Sequence, residues 1–359
     1  MSLTNPTHSK QSSAAISIGA FTFECGETLE DVVLAYERSG PADAPVLLIC
    51  HALTGNQFAV GTKDEPGWWA GLIGDDCPLD TTDYQIITFN VLGGCHGSTG
   101  PASKRKVSGQ TYRLEFPPVT IRDMVHAQYR ALQVLGFTQV HAVLGGSLGG
   151  MQTLEWGLLY PDFMKQLYVL AATPSLSDYG IAFNHIGAKA IKDDPAWNNG
   201  NYASNQQLHG FALARMAGMV TYRSGPLFQK RFDRSRSEPL SYNIQSYLDY
   251  QGEKIKDRFD ANSYLYLLEA MNHHDIGRGR GGWKKASSQF KAQLHTISFQ
   301  HDLLYPRELM EGFINEVPGS KHFHVETDYG HDGFLVEFSQ WGGWVGQQIR
   351  KGGKASDCG

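Results

Sequence analysis

Along the first half of the chain the hydrophobic positions switch between two periods. Val46-Leu-Leu-Ile-Cys50 and Tyr84-Gln-Ile-Ile-Thr-Phe89 are short runs of apolar and β-branched residues, each leading into a Gly-rich or polar segment, as buried strands do. Residues 120–135 instead place Ile121, Met124, Val125, Tyr129, Leu132 and Val134 at helical spacing, and Gly136 supplies a stop. Val140-His-Ala-Val-Leu144 then reads as another buried strand. This alternation predicts an α/β fold with a mostly parallel sheet covered by helices on both faces.

Between Thr173 and about Gln293 the pattern becomes helical, over 188–192, 209–220, 240–252 and 261–272, without a convincing strand. The strand-like run Leu294-His-Thr-Ile-Ser-Phe299 resumes the alternation, followed by a helix at 306–317, a strand at 322–326 and a last helix from about Phe334. The helical stretch therefore interrupts one α/β domain. The expected division is core over 1–172, a helical lid insertion over 173–293 and the rest of the core over 294–359.

Composition narrows the class. Hydrophobic residues make up 41% and charged residues 19% of the 359, the balance of an ordinary globular protein. The polar start, 1–17, shows no apolar leader segment, and no apolar run approaches the ~20 residues of a membrane helix, so a cytoplasmic protein is expected. Cys25, Cys50, Cys77, Cys95 and Cys358 are odd in number and form no C-x-x-C pair, which argues against a disulfide framework and a zinc site. A net charge of −5 gives no reason to expect nucleic acid. Residues 175–293 nonetheless carry 16 Lys and Arg against 11 Asp and Glu, so the middle segment is positive in an otherwise negative chain.

The sharpest chemical signal is Gly145-Gly-Ser-Leu-Gly149, a G-x-S-x-G pattern between a strand and a helix. A tight strand-to-helix turn strains the serine and crowds the backbone around it, so small residues are needed two before and two after. Ser147 is the candidate nucleophile. The amide of Leu148, at the positive end of the following helix, is the first candidate oxyanion donor. The second is Leu53, in the loop His51-Ala-Leu-Thr-Gly55 after the first buried strand. A Gly-rich turn that merely packs tightly, or binds phosphate, is the bland alternative.

In this fold the acid and then the base follow late strands. Asp302, in His301-Asp-Leu-Leu-Tyr-Pro306, and His331, in Tyr329-Gly-His-Asp-Gly-Phe334, stand there in that order. Rivals are His301, the pair His322 and His324 on one strand face, and His273-His-Asp275, which reads more simply as a polar helix end than as metal ligands. No metal site is expected.

Several blocks together carry a family likeness: Gly145-Gly-Ser-Leu-Gly-Gly-Met-Gln-Thr-Leu-Glu-Trp156, His51-Ala-Leu-Thr-Gly55, Asn90-Val-Leu-Gly-Gly-Cys-His-Gly-Ser-Thr-Gly-Pro101, Asp260-Ala-Asn-Ser-Tyr-Leu-Tyr266 and the His331 block. The chain resembles the homoserine O-acetyltransferases of methionine biosynthesis from about residue 20 to 345. The resemblance implies an α/β-hydrolase fold and ping-pong transfer of acetyl from acetyl-CoA, a co-substrate rather than a bound cofactor, through Ser147 to L-homoserine. It implies that Arg215 takes the acceptor's carboxylate, that Asp332 takes its amino group, and that lids pair two subunits into a homodimer. From the residues alone, Arg215 equally suits an interior ion pair and Asp332 a helix cap. An esterase using water, a succinyl donor or serine acceptor, and an inactive scaffold are the competing readings.

Overall fold

The protein is described here by a computed structural model covering residues 12–354. Cys358 and the first eleven positions of the polar start lie outside the described residues. Eight strands form one sheet: β1 (Ser12–Thr22), β2 (Thr28–Ser39), β3 (Val46–Cys50), β4 (Gln85–Phe89), β5 (Val140–Gly146), β6 (Met164–Leu170), β7 (Gln293–Phe299) and β8 (Lys321–Val325). Their spatial order is β1-β2-β4-β3-β5-β6-β7-β8. β1 and β2 pair antiparallel, as do β2 and β4, and every later pair is parallel. Parallel central strands must be covered on both faces, and all residues of β3 and β4 are buried.

The helices that frame the sheet are α1 (Ile121–Val134) and α2 (Leu148–Leu159), joined later by α9 (Arg307–Ile314), α10 (Gly333–Val336) and α11 (Phe338–Lys354). α1 starts on a reciprocal cap: the Thr120 hydroxyl accepts from the Asp123 amide while the Asp123 carboxylate accepts from the Thr120 amide. The expected final helix is split into α10 and α11 at Glu337, where ψ turns to 43°.

Three strands lack a clear period in the sequence. β1 and β2 are rich in Ser, Thr, Ala and charged residues because they form the outer, antiparallel edge, where only one side of β2 is fully buried. β6 opens with Met164-Lys-Gln, two polar residues in its first three positions.

Between β6 and β7 the chain adds no strand to the main sheet. It forms α3 (Asp178–Lys192), α4 (His209–Tyr222), α5 (Gly225–Phe232), α6 (Asn243–Arg258), α7 (Ala261–Asn272) and α8 (Trp283–Ser287). The expectation of helices alone is corrected in one place: Arg236–Glu238 and Ser241–Tyr242 pair as a small antiparallel ribbon. That ribbon is polar, so it carries no strand pattern. α5 was equally hidden, because it buries no side chain fully.

The short Gly277-to-Gly282 loop has a structural task. Its Arg280 makes two contacts to the buried Glu155 of α2, at 2.7 and 3.1 Å, and Arg122 of α1 joins the same carboxylate at 3.1 Å. Arg278 reaches Glu24 at 2.8 Å. The lid is thus riveted to the core where the chain re-enters it. Glu155→Ala would leave two mostly buried guanidinium groups without their shared anion, a loss of about 3–5 kcal/mol. Denaturant unfolding of the variant measures it; a change below about 1 kcal/mol would show that the network carries no stability.

Candidate active site

Apart from Arg215, which lies on α4, the candidate residues come from the carboxyl ends of β3, β5, β7 and β8, where parallel sheets present their loops to a ligand. Ser147 joins β5 to α2 with φ 58° and ψ −124°, a conformation that costs a non-glycine residue energy. The neighbouring glycines show why the turn tolerates nothing larger. A Cβ on Gly145 would lie 2.3 Å from the Gly149 carbonyl oxygen, and one on Gly149 would lie 2.1 Å from that of Cys50.

The loop after β3 is set by a histidine that sequence reading passed over. His51 Nε2 accepts from the Val91 amide at 3.0 Å, so the proton sits on Nδ1, which donates to the Ala52 carbonyl at 2.7 Å. Burial pulls this imidazole down to about 4, which keeps it neutral. Its bonds hold the turn that carries Leu53. Gln152 ties the same loop to the elbow, donating to the carbonyls of His51 and Leu148 at 3.3 and 3.2 Å. Among the described residues neither the Leu53 nor the Leu148 amide has a hydrogen-bond acceptor.

His331 and Asp302 meet beneath the lid. His331 Nδ1 lies 2.8 Å from Asp302 Oδ2, and both side chains are buried. The other carboxylate oxygen accepts from the amides of Leu304 and Tyr305 at 2.9 and 3.0 Å, which fixes its direction. Burial alone would lower the imidazole pKa, yet the Asp302 charge and hydrogen bond outweigh it and raise His331 above its usual 6.5. Two indoles anchor the loop: Trp69 donates to the Phe334 carbonyl at 3.0 Å and Trp341 to that of Gly333 at 3.3 Å.

The rival histidines are elsewhere. His301 is exposed. His322 and His324 do share a face, but both bind the Ser298 hydroxyl, at 2.9 and 2.7 Å. The 273–275 cluster does form the end of α7, where His273 is the exposed C-cap, although the next residue, His274, is buried. Among the described residues no three His, Cys, Asp or Glu side chains gather in a metal-binding arrangement, and Cys25, Cys50, Cys77 and Cys95 are free thiols.

A cavity of ≈230 Å³ opens over Ser147 and His331, bounded by Leu53 and Thr54 on the core side and by α4, α6 and α7 of the lid. Arg215 and Asp332 line it, so five of the seven residues singled out in the sequence share one space. Asp302 lies behind His331, and Leu148 contributes through its backbone. Asp332 starts α10 but makes no side-chain cap, so the helix-capping alternative does not hold. Arg215 lies over the Tyr222 ring at 5.5 Å and makes no ion pair among the described residues, contrary to the interior-pair alternative. The structure adds Tyr222, Arg223 and Arg258, which no motif marks. Arg258 donates to Thr54 Oγ1 at 2.9 Å; burial, and then the Arg215 charge, depress it to about 10.

A strained serine at a strand–helix elbow, a buried Asp–His pair and an eight-stranded, mostly parallel sheet define an α/β-hydrolase-fold protein. The model of the alpha/beta hydrolase fold matches residues 45–338. A homoserine O-acetyltransferase of Carboxydothermus hydrogenoformans is 41% identical over 347 residues, covering 90% of this chain and 91% of that protein. The chain belongs to the homoserine O-acetyltransferase family. Among solved structures, a homoserine O-acetyltransferase from Staphylococcus aureus is 34% identical with a TM-score of 0.80, covering 95% of each chain. Esterase E22 is 26% identical with a TM-score of 0.86, covering 96% of this chain and all of the other. No helix among the described residues is long and apolar enough to cross a membrane.

Proposed function

We propose that this protein transfers the acetyl group of acetyl-CoA to the hydroxyl of L-homoserine through an acetyl-Ser147 intermediate, releasing O-acetyl-L-homoserine for methionine biosynthesis. The observation that carries the reading is the charge pattern of the cavity: next to Ser147 and His331 stand an unpaired guanidinium, Arg215, and a carboxylate, Asp332. That is the complement of an amino acid. Burying such groups is costly, and an enzyme that only hydrolyses esters needs neither.

In the first half-reaction His331 Nε2 takes the Ser147 proton as Oγ attacks the acetyl thioester; the amides of Leu53 and Leu148 hold the oxyanion, and the thiol of CoA leaves with the proton. In the second, His331 deprotonates the homoserine hydroxyl, which attacks the acetyl-serine carbonyl; the same amides serve again, and the proton returns to Ser147. Asp302 holds the imidazole tautomer that leaves Nε2 free for both steps. The positive lid suits the phosphates of CoA. A cytoplasmic homodimer belongs to the same reading, and exposed Tyr179, Ile186, Leu213 and Val220 on α3 and α4 supply apolar surface for lid pairing.

The structural likeness to esterase E22 favours one second reading, hydrolysis with water as acceptor. Mass spectrometry decides. Mixed with acetyl-CoA, the protein should gain one acetyl group on Ser147, discharged by homoserine far faster than by water. Discharge by water alone makes it a hydrolase, and labelling only by succinyl-CoA changes the donor. Arg215→Ala should raise the homoserine KM by about ten- to a hundredfold, as loss of a charge-assisted pair does, with little effect on acetylation of Ser147. Equal damage to both steps would remove Arg215 from acceptor binding.

A further inference from the structure

Arg223, the first residue after α4, points its guanidinium at Asp332: Nε lies 2.6 Å from Oδ2. The contact is an ion pair rather than an aligned hydrogen bond, since Nε–H is not directed along the oxygen. Both side chains are largely buried and both line the cavity over Ser147. The guanidinium is held in turn over the Tyr329 ring at 5.6 Å, on the loop that carries His331. Arg223 therefore grips one oxygen of Asp332 from the lid side, while Asp332 itself faces the space an acceptor must enter.

We propose that Arg223 is a positioning residue for the acceptor: it fixes Asp332 through Oδ2, so that the remaining oxygen is offered to the ammonium group of the amino acid. This rests on the acceptor reading above and deepens it. A carboxylate confined between lid and core without a cation would be pushed toward its neutral form, and a neutral acid loses most of its attraction for an ammonium. The groups facing Asp332 are few. Burial raises its pKa; Arg223 opposes this most strongly, then His331 and Arg215, while Asp302 adds to the rise. Tyr222 and Arg258 complete the charged and titratable surroundings. Of the cations, Arg215 and His331 are engaged by the reaction itself: one is assigned to the acceptor's carboxylate, the other cycles through its charge. Arg258 is turned to Thr54, so Arg223 is the cation in contact with Asp332 that can hold it in the same state throughout turnover.

The test separates the two half-reactions and adds pH. In Arg223→Met, acetylation of Ser147 by acetyl-CoA should stay within about twofold of the parent, while the homoserine KM rises about ten- to a hundredfold at neutral pH, the range of one charge-assisted hydrogen bond. The rise should grow as pH falls and shrink as pH increases, because Asp332 is then protonated or ionised by the medium. Arg223→Lys, which keeps the cation, should recover most of the loss. Asp332→Asn should raise KM without that pH dependence, and adding Arg223→Met to it should cost little more.

A Met variant with unchanged homoserine KM, or with a KM defect independent of pH, overturns the proposal. So does a lowered KM, which would mean that Arg223 competes with the ammonium. Equal loss of acetylation, or a Lys variant as impaired as Met, would make the residue merely structural. If the parent protein itself fails to pass acetyl to homoserine, the acceptor reading falls instead, and the two failures are distinguishable.

Discussion

Ser147→Ala should abolish acyl transfer, by at least about 10⁴-fold in kcat, while the protein remains folded, because the change deletes only the nucleophile. Ser147→Gly should do the same and also raise stability by about 1–2 kcal/mol. The reason is the backbone: φ 58° and ψ −124° at this position are strained for any side chain and ordinary for glycine. The strain persists because β5, α2 and β3 enclose the turn; the Ser147 amide is tied to the Leu170 carbonyl at 3.0 Å and its carbonyl to the Met151 amide at 3.0 Å. Thermal or denaturant unfolding of the Gly variant reads the relief directly. A destabilised Gly variant would show that the elbow is unstrained, and substantial turnover by either variant would remove Ser147 from the mechanism.

Asp302→Asn should lower kcat by about 10³–10⁴-fold and change its pH dependence. His331 acts as a base only when neutral, so acetylation of Ser147 in the parent should fall as pH drops through a value above 6.5, the direction set by the Asp302 charge and hydrogen bond winning over burial. An amide at 302 removes that upward pull and leaves burial opposed by the weaker effect of the Asp332 charge, so the acid limb of the residual activity should move to lower pH. The lost rate has a separate origin. The amides of Leu304 and Tyr305 fix one side-chain atom, and an amide group can then present –NH₂ to Nδ1 and force the tautomer that blocks Nε2. A pH–rate profile of acetylation under single-turnover conditions checks both. An unmoved acid limb would mean that another group titrates there.

Ser147, its flanking glycines, and the order of Asp302 and His331 were legible because local geometry demands particular residues. An elbow whose Gly149 backbone presses on the Cys50 carbonyl admits no Cβ, so its requirement is written in the chain itself. The buried parallel strands β3, β4, β5 and β7 were legible for a similar reason: nearly every residue is covered, so β3 is continuously apolar and the other three place apolar, small or β-branched residues at most positions. β1, β2, the ribbon at 236–242 and α5 were not, because partial exposure permits polar residues and erases the period.

The cavity belongs to a different level. Arg223 and Arg258 are charged residues at the ends of lid helices, and nothing within a few positions distinguishes them from the lid's solvated cations. Only the packing of the lid on the core brings Arg223 to Asp332, 109 positions away, and Arg258 to Thr54, 204 positions away. Arg280 and Glu155 are joined the same way, across 125 positions. By itself the sequence determined the α/β alternation, the elbow and the order in which Ser147, Asp302 and His331 follow their strands, since backbone sterics and burial act over neighbouring residues. The tertiary structure alone decided which lid charges face the serine and which partner holds each, because electrostatic pairing depends on distance in space and leaves no period along the chain.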